Sequence, residues 1–294
     1  MYTLKKSLGQ HFLRDENISR KIVAAVLDTP GFQTTVVGPD RPATPEGQGH
    51  GVGTGPEGPQ GAGNAPQGQA TDSHQTRLLE VGPGAGALTK YLMEIPSLDF
   101  KAVELDEEKV LYLQNTWPAL RDKIIHKSIL DIERPFEGKF TVVGNFPYNI
   151  SSQILFKMLD WKDSLDSMTG MFQKEVAQRV AAKEGNKVYG VLSVLIQAFF
   201  EVEYLFEVHE QCFQPPPKVK SAVIRLLPRA ARPPFRDEKS FFLLVKTAFN
   251  QRRKTLRNAV RGLFEPLMLE DPLFGQRAEQ LSVDEFAQLT WKMR

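Results

Sequence analysis

The chain has 294 residues, of which 41% are hydrophobic and 24% are charged. This is the composition of a globular protein long enough for one large domain and one small domain. Its single cysteine, Cys212, excludes an internal disulfide framework, and no apolar run suits a secretory signal or a membrane span. We therefore expect a protein of the reducing cytoplasm.

The first predicted elements are a helix and an unusual segment that follows it. Residues 15–27 place apolar side chains on one face of a helix, with Asp15 near its start. Residues 30–76 hold 11 of the 22 glycines and 7 of the 20 prolines, with almost nothing to bury. We expect a disordered insertion or a flexible surface loop there. Composition alone assigns His11, which precedes the helix, to the surface or to packing.

The next three predicted elements are a strand, a glycine-rich turn and a helix, at 77–81, 82–86 and 87–93. Glycines let the backbone approach a ligand, and the start of a helix offers free N–H groups. A further strand, 100–103, ends at Glu104, whose carboxylate can accept hydrogen bonds from both hydroxyls of a ribose. The pattern indicates a cofactor that contains a nucleoside. A nicotinamide dinucleotide stays an alternative, because Gly82, Gly84 and Ala87 also fit its glycine fingerprint.

The stretch 142–149 contains the end of a predicted buried strand, 140–143, and a reactive tip that follows it. The tip is expected at the carboxyl edge of a sheet. The exocyclic amine of adenine is a poor nucleophile without an acidic proton, so a catalyst helps it by accepting its N–H bonds. The Asn145 side-chain oxygen and the backbone carbonyl beside Pro147 can accept them, while Tyr148 stacks on the base. An ordinary turn is the alternative. An activated adenine amine favours S-adenosylmethionine as the donor of a methyl group.

Strands and helices alternate in the rest of the chain, which predicts a parallel, doubly wound sheet. A Pro-rich loop, 213–219, presents Phe213 either as a second stacking wall opposite Tyr148 or as part of the core. The predicted helices are 151–159, 173–182 and 189–200, and the predicted strands are 167–172, 203–208 and 221–227.

The net charge of +2 is unevenly distributed along the chain. Residues 228–294 hold 13 Lys or Arg and 8 Asp or Glu, and no acid interrupts 249–261. We interpret the densest part as a basic helix that binds a polyanion, with a solvated charged face as the alternative. Its cations are Arg252, Arg253, Lys254, Arg257 and Arg261. Because no Cys or His residues cluster with the spacing of metal ligands, we expect no metal site.

Several separated segments match one family in the right order. They are Gly9-Gln10-His11-Phe12-Leu13, Leu79-Glu80-Val81-Gly82-Pro83-Gly84-Ala85-Gly86, Glu104-Leu105-Asp106, Gly144-Asn145-Phe146-Pro147-Tyr148-Asn149, Gln173-Lys174-Glu175-Val176 and 213–219. Through them the chain resembles the KsgA-type small-subunit ribosomal RNA adenine dimethyltransferases. The resemblance covers nearly the whole chain, apart from 30–76 and a weakly matched stretch after Leu263.

The resemblance implies an α/β protein with the class I S-adenosylmethionine-dependent methyltransferase fold, a Rossmann-like doubly wound sheet with a small helical C-terminal domain. It implies a catalytic domain at 1–228 and an RNA-binding domain at 229–294. The implied reaction transfers two methyl groups to N6 of each of two adjacent adenosines near the 3′ end of small-subunit (16S) ribosomal RNA. The implied partner is the immature 30S particle, and we expect a monomer without membrane or metal partners.

The resemblance also implies roles for individual residues. The cofactor S-adenosyl-L-methionine would be bound by His11, Leu13, Gly82, Glu104, Ser128 and Asn145. The catalytic residues would be Asn145, Pro147, Tyr148 and Phe213, with the two rings on either side of the target base. The RNA phosphates would be held by Arg252, Arg253, Lys254, Arg257 and Arg261. Many family members have an Asp where this chain has Ser128, so Asp131 is the alternative contact to the cofactor adenine.

Three other functions stay open at this point. A methylase of large-subunit RNA would use the same chemistry on another substrate, against which the whole-chain match and the Pro-rich loop argue. A binding-only ribosome-assembly factor would need a damaged site, and only the serine at 128 departs from the family pattern. A nicotinamide dehydrogenase would need a catalytic His or a Tyr-Lys pair near the cofactor, and neither is evident.

Overall fold

A computed structural model describes residues 11–32 and 76–294 of the chain. The motif residues Gly9 and Gln10 lie outside these ranges, and so does the predicted insertion at 30–76, apart from its first three residues and its last. Within the described ranges, no helix is both long enough and apolar enough to cross a membrane.

The described part of the chain contains nine strands and nine α-helices. The strands are β1 (Phe12–Leu13), β2 (Arg77–Val81), β3 (Asp99–Glu104), β4 (Ile124–His126), β5 (Phe140–Asn145), β6 (Leu165–Gln173), β7 (Phe200–Val208), β8 (Phe213–Gln214) and β9 (Ser221–Pro228). The helices are α1 (Glu16–Leu27), α2 (Thr89–Leu92), α3 (Glu107–Thr116), α4 (Ser151–Asp160), α5 (Lys174–Ala181), α6 (Val191–Gln197), α7 (Glu238–Asn250), α8 (Leu256–Ala259) and α9 (Val283–Leu289).

Seven strands form one sheet in the order β4-β3-β2-β5-β6-β9-β7. The first five strands in this order run parallel, whereas β9 pairs antiparallel with both β6 and β7. Parallel neighbours need crossover connections, and helices supply them. The predicted Rossmann-like doubly wound sheet is therefore confirmed, and its parallel strands bring their carboxyl ends to one edge.

The central strands are covered on both faces, which explains their continuous apolar sequences. Successive residues of β5 belong to two different buried clusters, with Val142 in one and Val143 in the other. This is expected because successive side chains of a strand point to opposite faces of a sheet. The cluster that contains Val142 continues through Phe241 of α7 and Phe286 of α9. The C-terminal helices thus share a core with the sheet, and the domain boundary at 228/229 stays a prediction.

The tip of β5 differs from the predicted turn. The strand continues through Gly144 and Asn145, which pair with Gly170 and Met171 of β6. A Cβ atom on Gly144 would lie 2.6 Å from the carbonyl oxygen of Val81 and 2.7 Å from the Phe146 ring. The glycine at this position therefore allows close packing between strands, and the strand ends two residues later than the predicted 140–143.

Two predicted helices were wrong in extent. The helix expected at 189–200 spans only Val191–Gln197, because Phe200 already pairs with Pro228 in the sheet. The basic helix expected at 252–261 does not exist as one helix, since α7 ends at Asn250 and α8 begins at Leu256. Between them the chain turns, with a hydrogen bond from the Lys254 N–H to the Gln251 carbonyl at 2.8 Å.

Candidate active site

A cavity of about 230 Å³ lies at the carboxyl edge of the sheet, where β2, β3 and β5 end. Its walls include all the predicted cofactor residues, namely His11, Leu13, Gly82, Glu104, Ser128 and Asn145. Two predicted catalytic residues, Pro147 and Tyr148, also line it, whereas Phe213 does not. The parallel topology thus brings together residues that are far apart in the sequence.

The glycine turn after β2 brings the backbone to the cavity wall. Gly82, Gly84 and Gly86 all have φ between 57° and 82°, a conformation that side chains with a Cβ atom rarely adopt. A Cβ atom on Gly82 would have only the Pro147 ring within 4.0 Å, so the space in front of it is open. On Gly84 it would lie 3.4 Å from the ring of Phe12. The turn leaves room for a ligand against its backbone.

Backbone N–H groups hold the Glu104 carboxylate in place at the end of β3. Its Oε1 accepts hydrogen bonds from the N–H groups of Leu105, at 2.9 Å, and Asp106, at 3.0 Å. Its Oε2 accepts a hydrogen bond from the N–H of Gly84, at 3.1 Å. The carboxylate is buried, and Oε2, which accepts only one of these hydrogen bonds, has lone-pair capacity left to accept from a ligand hydroxyl.

A second carboxyl group, Glu80, lines the cavity and was not predicted as a site residue. It is buried within β2, and its Oε2 accepts a hydrogen bond from the Thr89 hydroxyl at 2.7 Å. Burial raises the pKa of Glu80 to about 8, opposed by the Thr89 hydrogen bond and reinforced by the neighbouring Glu104. A signal was present in the sequence, since an acid inside a buried apolar strand needs a partner or a function.

Asn145 is oriented by the segment that precedes α1. Its Nδ2 donates a hydrogen bond to the His11 carbonyl at 3.2 Å, and its Oδ1 accepts none from the described residues. Phe146 anchors the chain beside it, because its buried ring packs against Gly144 and Gly170. A Cβ atom on Gly170 would lie only 2.1 Å from this ring. The amide oxygen of Asn145 is therefore available as an acceptor on a fixed backbone.

Tyr148 is fixed by a hydrogen bond and by a neighbouring ring. Its hydroxyl shares a hydrogen bond with the hydroxyl of buried Ser221 at the start of β9. The imidazole of His11 lies 5.5 Å from the phenol ring, centroid to centroid, with an angle of 32° between the planes. Burial raises the pKa of Tyr148, partly offset by the Ser221 hydrogen bond, so the phenol stays neutral at ordinary pH.

Phe213 occupies a different position from the predicted stacking wall. Its side chain is 2% exposed and packs in the cluster that contains Leu13 and Val143. It lies on β8, which pairs antiparallel with β1 and opposes Leu13. Core packing, the alternative that the sequence left open, is what the structure shows. To stack on a base, the ring would have to leave this cluster.

The structure separates the two candidates for contact with a cofactor adenine. Ser128 lines the cavity, and its Oγ accepts a hydrogen bond from the Leu130 N–H at 3.2 Å. Asp131 is exposed and is not part of the lining. Of the two, Ser128 has the placement that a contact requires.

The five predicted phosphate-binding cations have different surroundings. Arg252 donates from one guanidinium nitrogen to the carbonyls of Lys187, at 2.8 Å, and Tyr189, at 3.1 Å. Arg257 donates to the Leu269 carbonyl at 2.8 Å. The side chains of the remaining three are exposed and make no hydrogen bond or ion pair within the described ranges, namely Arg253, Lys254 and Arg261. Residues 11–32 and 76–294 contain no cluster of side chains that could hold a metal ion.

The chain matches one family model and several known proteins. Residues 65–290 match the family model described as ribosomal RNA adenine dimethylase. The chain is 47% identical to ribosomal RNA small subunit methyltransferase A of Phocaeicola vulgatus, over 97% of this chain and 88% of that one. It is 43% identical to the protein of the same name from Flavobacterium johnsoniae, over 98% of this chain and 95% of that one.

Two solved structures share the architecture. A dimethyladenosine transferase from Plasmodium falciparum has a TM-score of 0.62 and 22% identity, and the match covers 72% of this chain and 88% of that one. The 23S rRNA methyltransferase ErmE has a TM-score of 0.57 and 22% identity, with 74% and 91% covered. At this level of identity the two structures support the fold alone.

Proposed function

Because the chain belongs to the ribosomal RNA adenine dimethylase family, we propose that it methylates N6 of two adjacent adenosines near the 3′ end of small-subunit (16S) ribosomal RNA. The methyl donor is S-adenosyl-L-methionine, and the products are dimethyladenosines and S-adenosylhomocysteine, the thioether left when the S–CH3 bond breaks. Relatives at 43–47% identity that carry a small-subunit name favour this substrate over large-subunit RNA. The likeness to ErmE, at 22% identity, does not argue for the large subunit.

The Asn145 amide is the observation that supports this proposal best. Its nitrogen donates to the His11 carbonyl, which directs its oxygen into a cavity that Tyr148 also lines. A target adenine stacked on Tyr148 would present its amine to that oxygen and to the carbonyl beside Pro147. Accepting both N–H bonds favours the tetrahedral nitrogen that forms during transfer.

The cavity residues fit the proposed cofactor. Bound there, S-adenosylmethionine supplies an electrophilic methyl group on a sulfonium centre. The buried carboxylate of Glu104 can accept from ribose hydroxyls, and the Ser128 hydroxyl can hydrogen-bond an adenine amine. Open space at the Gly82 backbone, together with the apolar side chain of Leu13, leaves room for the rest of the molecule. These placements are the ones expected of a cofactor site at this edge of a doubly wound sheet.

The proposed mechanism uses acceptors and an aromatic surface, without a general base. Tyr148 is neutral at ordinary pH, as a phenol is, and burial raises its pKa further, so it serves as a stacking face. Phe213, expected to form the second wall, instead supports β1 from the core, and through it the segment that carries His11. The amine loses its proton to solvent after the transfer, since its acidity rises only once it is alkylated.

The finer features of the function are also part of this proposal. We place the enzyme in the cytoplasm, acting as a monomer on the immature 30S particle. Exposed Arg253, Lys254 and Arg261 are suited to phosphate contacts, which bind RNA without reading bases. Arg252 and Arg257 have a mainly structural role in this arrangement.

The decisive experiment is transfer of tritiated methyl groups to undermethylated small subunits, followed by digestion to nucleosides. We expect the label in N6,N6-dimethyladenosine. If only large-subunit RNA were labelled, that RNA would be the substrate. RNA binding without any label would indicate an assembly factor. Calorimetry with S-adenosylmethionine and with NAD gives a separate check, because a dehydrogenase would bind the second and not the first.

A further inference from the structure

The segment from Pro215 to Ser221, here called the rim segment, is attached at both ends to residues that line the cavity. At its start, the Nδ1–H of His11 donates a hydrogen bond to the Pro215 carbonyl at 2.9 Å. At its end, the Ser221 hydroxyl shares a hydrogen bond with the hydroxyl of Tyr148. The rim segment therefore borders the cavity on the side of the predicted stacking face.

The middle of the rim segment is exposed and positively charged. Lys218 and Lys220 are exposed, and the side chain of Val219 between them is 45% exposed. Neither lysine makes an ion pair within the described ranges. An acid on the neighbouring strand β7, Glu207, forms its ion pair with Lys174, with 2.7 Å between Nζ and Oε1, and Lys220 interacts with this carboxylate only over a longer distance. The two ammonium groups are therefore available to a ligand.

The rim segment is also held in a defined shape. Three consecutive prolines, at 215–217, each restrict the backbone φ angle, and Pro217 is buried. The carbonyl of Lys220 accepts a hydrogen bond from the Lys174 N–H at 2.9 Å, which ties this end to the start of α5. Preorganised cations lose less conformational freedom on binding than cations on a flexible loop.

We propose that Lys218 and Lys220 contact the RNA phosphates that flank the target adenosine while its base occupies the cavity. The inference rests on the proposed function. An enzyme that acts on a single base takes that base out of its stack, so the ribose and the two adjacent phosphates stay at the mouth of the pocket. The rim segment, tied to the lining residues His11 and Tyr148, supplies two exposed ammonium groups beside that mouth.

The proposed contact is coupled to the stacking face. Ser221 follows Lys220 directly, is fully buried, and holds the Tyr148 hydroxyl. The segment whose lysines bind the phosphates therefore also orients the Tyr148 ring on which the base stacks. The lysines act as positioning residues, because they touch the substrate backbone and not the reacting atoms.

The test is the double variant Lys218→Gln/Lys220→Gln, compared with Lys139→Gln/Lys183→Gln. The control pair loses the same two charges, from exposed lysines at the opposite end of β5 and just after α5. We expect the rim variant to raise KM for undermethylated subunits about tenfold and to lower the salt slope of binding by roughly one to two units. Its kcat and its affinity for S-adenosylmethionine, measured by calorimetry, should stay within about twofold.

The outcomes separate this inference from the function on which it rests. If the wild-type enzyme produces no dimethyladenosine, the proposed function fails. If the wild type is active and the rim variant matches the control pair in KM and salt slope, the phosphate contact is wrong. The charge-retaining variant Lys218→Arg/Lys220→Arg should restore KM. Equal losses in the Gln and Arg variants would show that shape rather than charge matters, which also overturns the proposal.

Discussion

The carboxyl edge of the sheet and the basic residues between α7 and Leu263 differ in how well the type of a residue predicts its role. At the sheet edge, Glu104 ends β3 and Asn145 ends β5, the two strands that pair in parallel with β2, and both residues line the cavity as predicted. In the basic segment, cations of one chemical type divide into two groups. Arg252 and Arg257 donate to backbone carbonyls, whereas Arg253 is exposed without such a partner.

The difference follows from what determines each side chain's surroundings. A residue at the end of a central parallel strand is placed by backbone hydrogen bonds, so its position follows once the strand is recognised. A long cationic side chain has several rotatable bonds and takes whichever acceptor the folded chain brings within reach. For Arg252 that acceptor is 65 residues away in sequence. Charge alone therefore does not assign a role.

The largest effect that we expect at the sheet edge concerns Glu80 and pH. Because burial raises the pKa of Glu80 to about 8, the folded protein keeps this proton at pH values where the unfolded chain has lost it. The contribution of protonated Glu80 to the free energy of unfolding is fully present below pH 4.5 and is lost as the pH rises through 8. A shift of this size corresponds to a free energy on the order of 5 kcal/mol.

The variant Glu80→Gln resembles the protonated acid and can still accept from the Thr89 hydroxyl. Its free energy of unfolding, measured with urea in the absence of cofactor, should fall less between pH 5 and pH 8 than that of the wild type. Exposed Glu137→Gln is the matched control and should follow the wild type. Parallel pH profiles for the wild type and Glu80→Gln would show that Glu80 is ionised throughout.

The next largest effect concerns the acceptor at the tip of β5. Asn145→Ala should lower the methyl-transfer rate by roughly 10²- to 10³-fold, because the lost acceptor matters most as the amine nitrogen becomes tetrahedral. RNA binding should change much less. Single-turnover transfer and a filter-binding assay on the same subunits measure the two separately, and exposed Asn115→Ala serves as the control. Near-normal transfer by Asn145→Ala would remove the tip from the active centre.

The sequence was informative where backbone geometry decides position. The run Leu78 to Val81 and the glycines after it were sufficient for a strand, a turn and a cavity wall. The end of β5 was predicted two residues too early, since the close approach of Gly144 to Val81 and Phe146 depends on packing that no local pattern reveals. Phe213 was ambiguous for a similar reason, because burial against Leu13 depends on a pairing between residues 200 positions apart.

Tyr148 allows a finer test, because its ring and its hydroxyl have separate contacts. Tyr148→Ala removes the stacking face and should cost about 1 to 3 kcal/mol in holding the base, visible as a higher KM together with a lower rate. Tyr148→Phe keeps the ring but leaves the buried Ser221 hydroxyl without its partner. We expect it to retain most activity and to lose about 1 kcal/mol of stability.

A double variant checks the origin of that stability loss. Tyr148→Phe/Ser221→Ala removes both partners of the hydrogen bond, so it should be closer to the wild type in stability than the sum of the single variants. Thermal or urea unfolding of the four proteins gives the coupling between the two hydroxyls. Additive losses would mean that the bond contributes nothing, and a large activity loss in Tyr148→Phe would give the hydroxyl a part in the reaction.

The smallest effects distinguish the two groups of arginines in the basic segment. Arg253→Gln should lower the slope of log affinity against log salt concentration by roughly one unit on undermethylated subunits, with unfolding unchanged, because a surface phosphate contact is lost. Arg257→Gln should leave that slope nearly intact and lower stability by about 1 kcal/mol, since it loses the hydrogen bond to the Leu269 carbonyl. Each variant removes one charge from an exposed arginine, so each is the control for the other. If both changed the salt slope equally, their different hydrogen bonds would be irrelevant to RNA binding, and the basic segment would act through its summed charge alone.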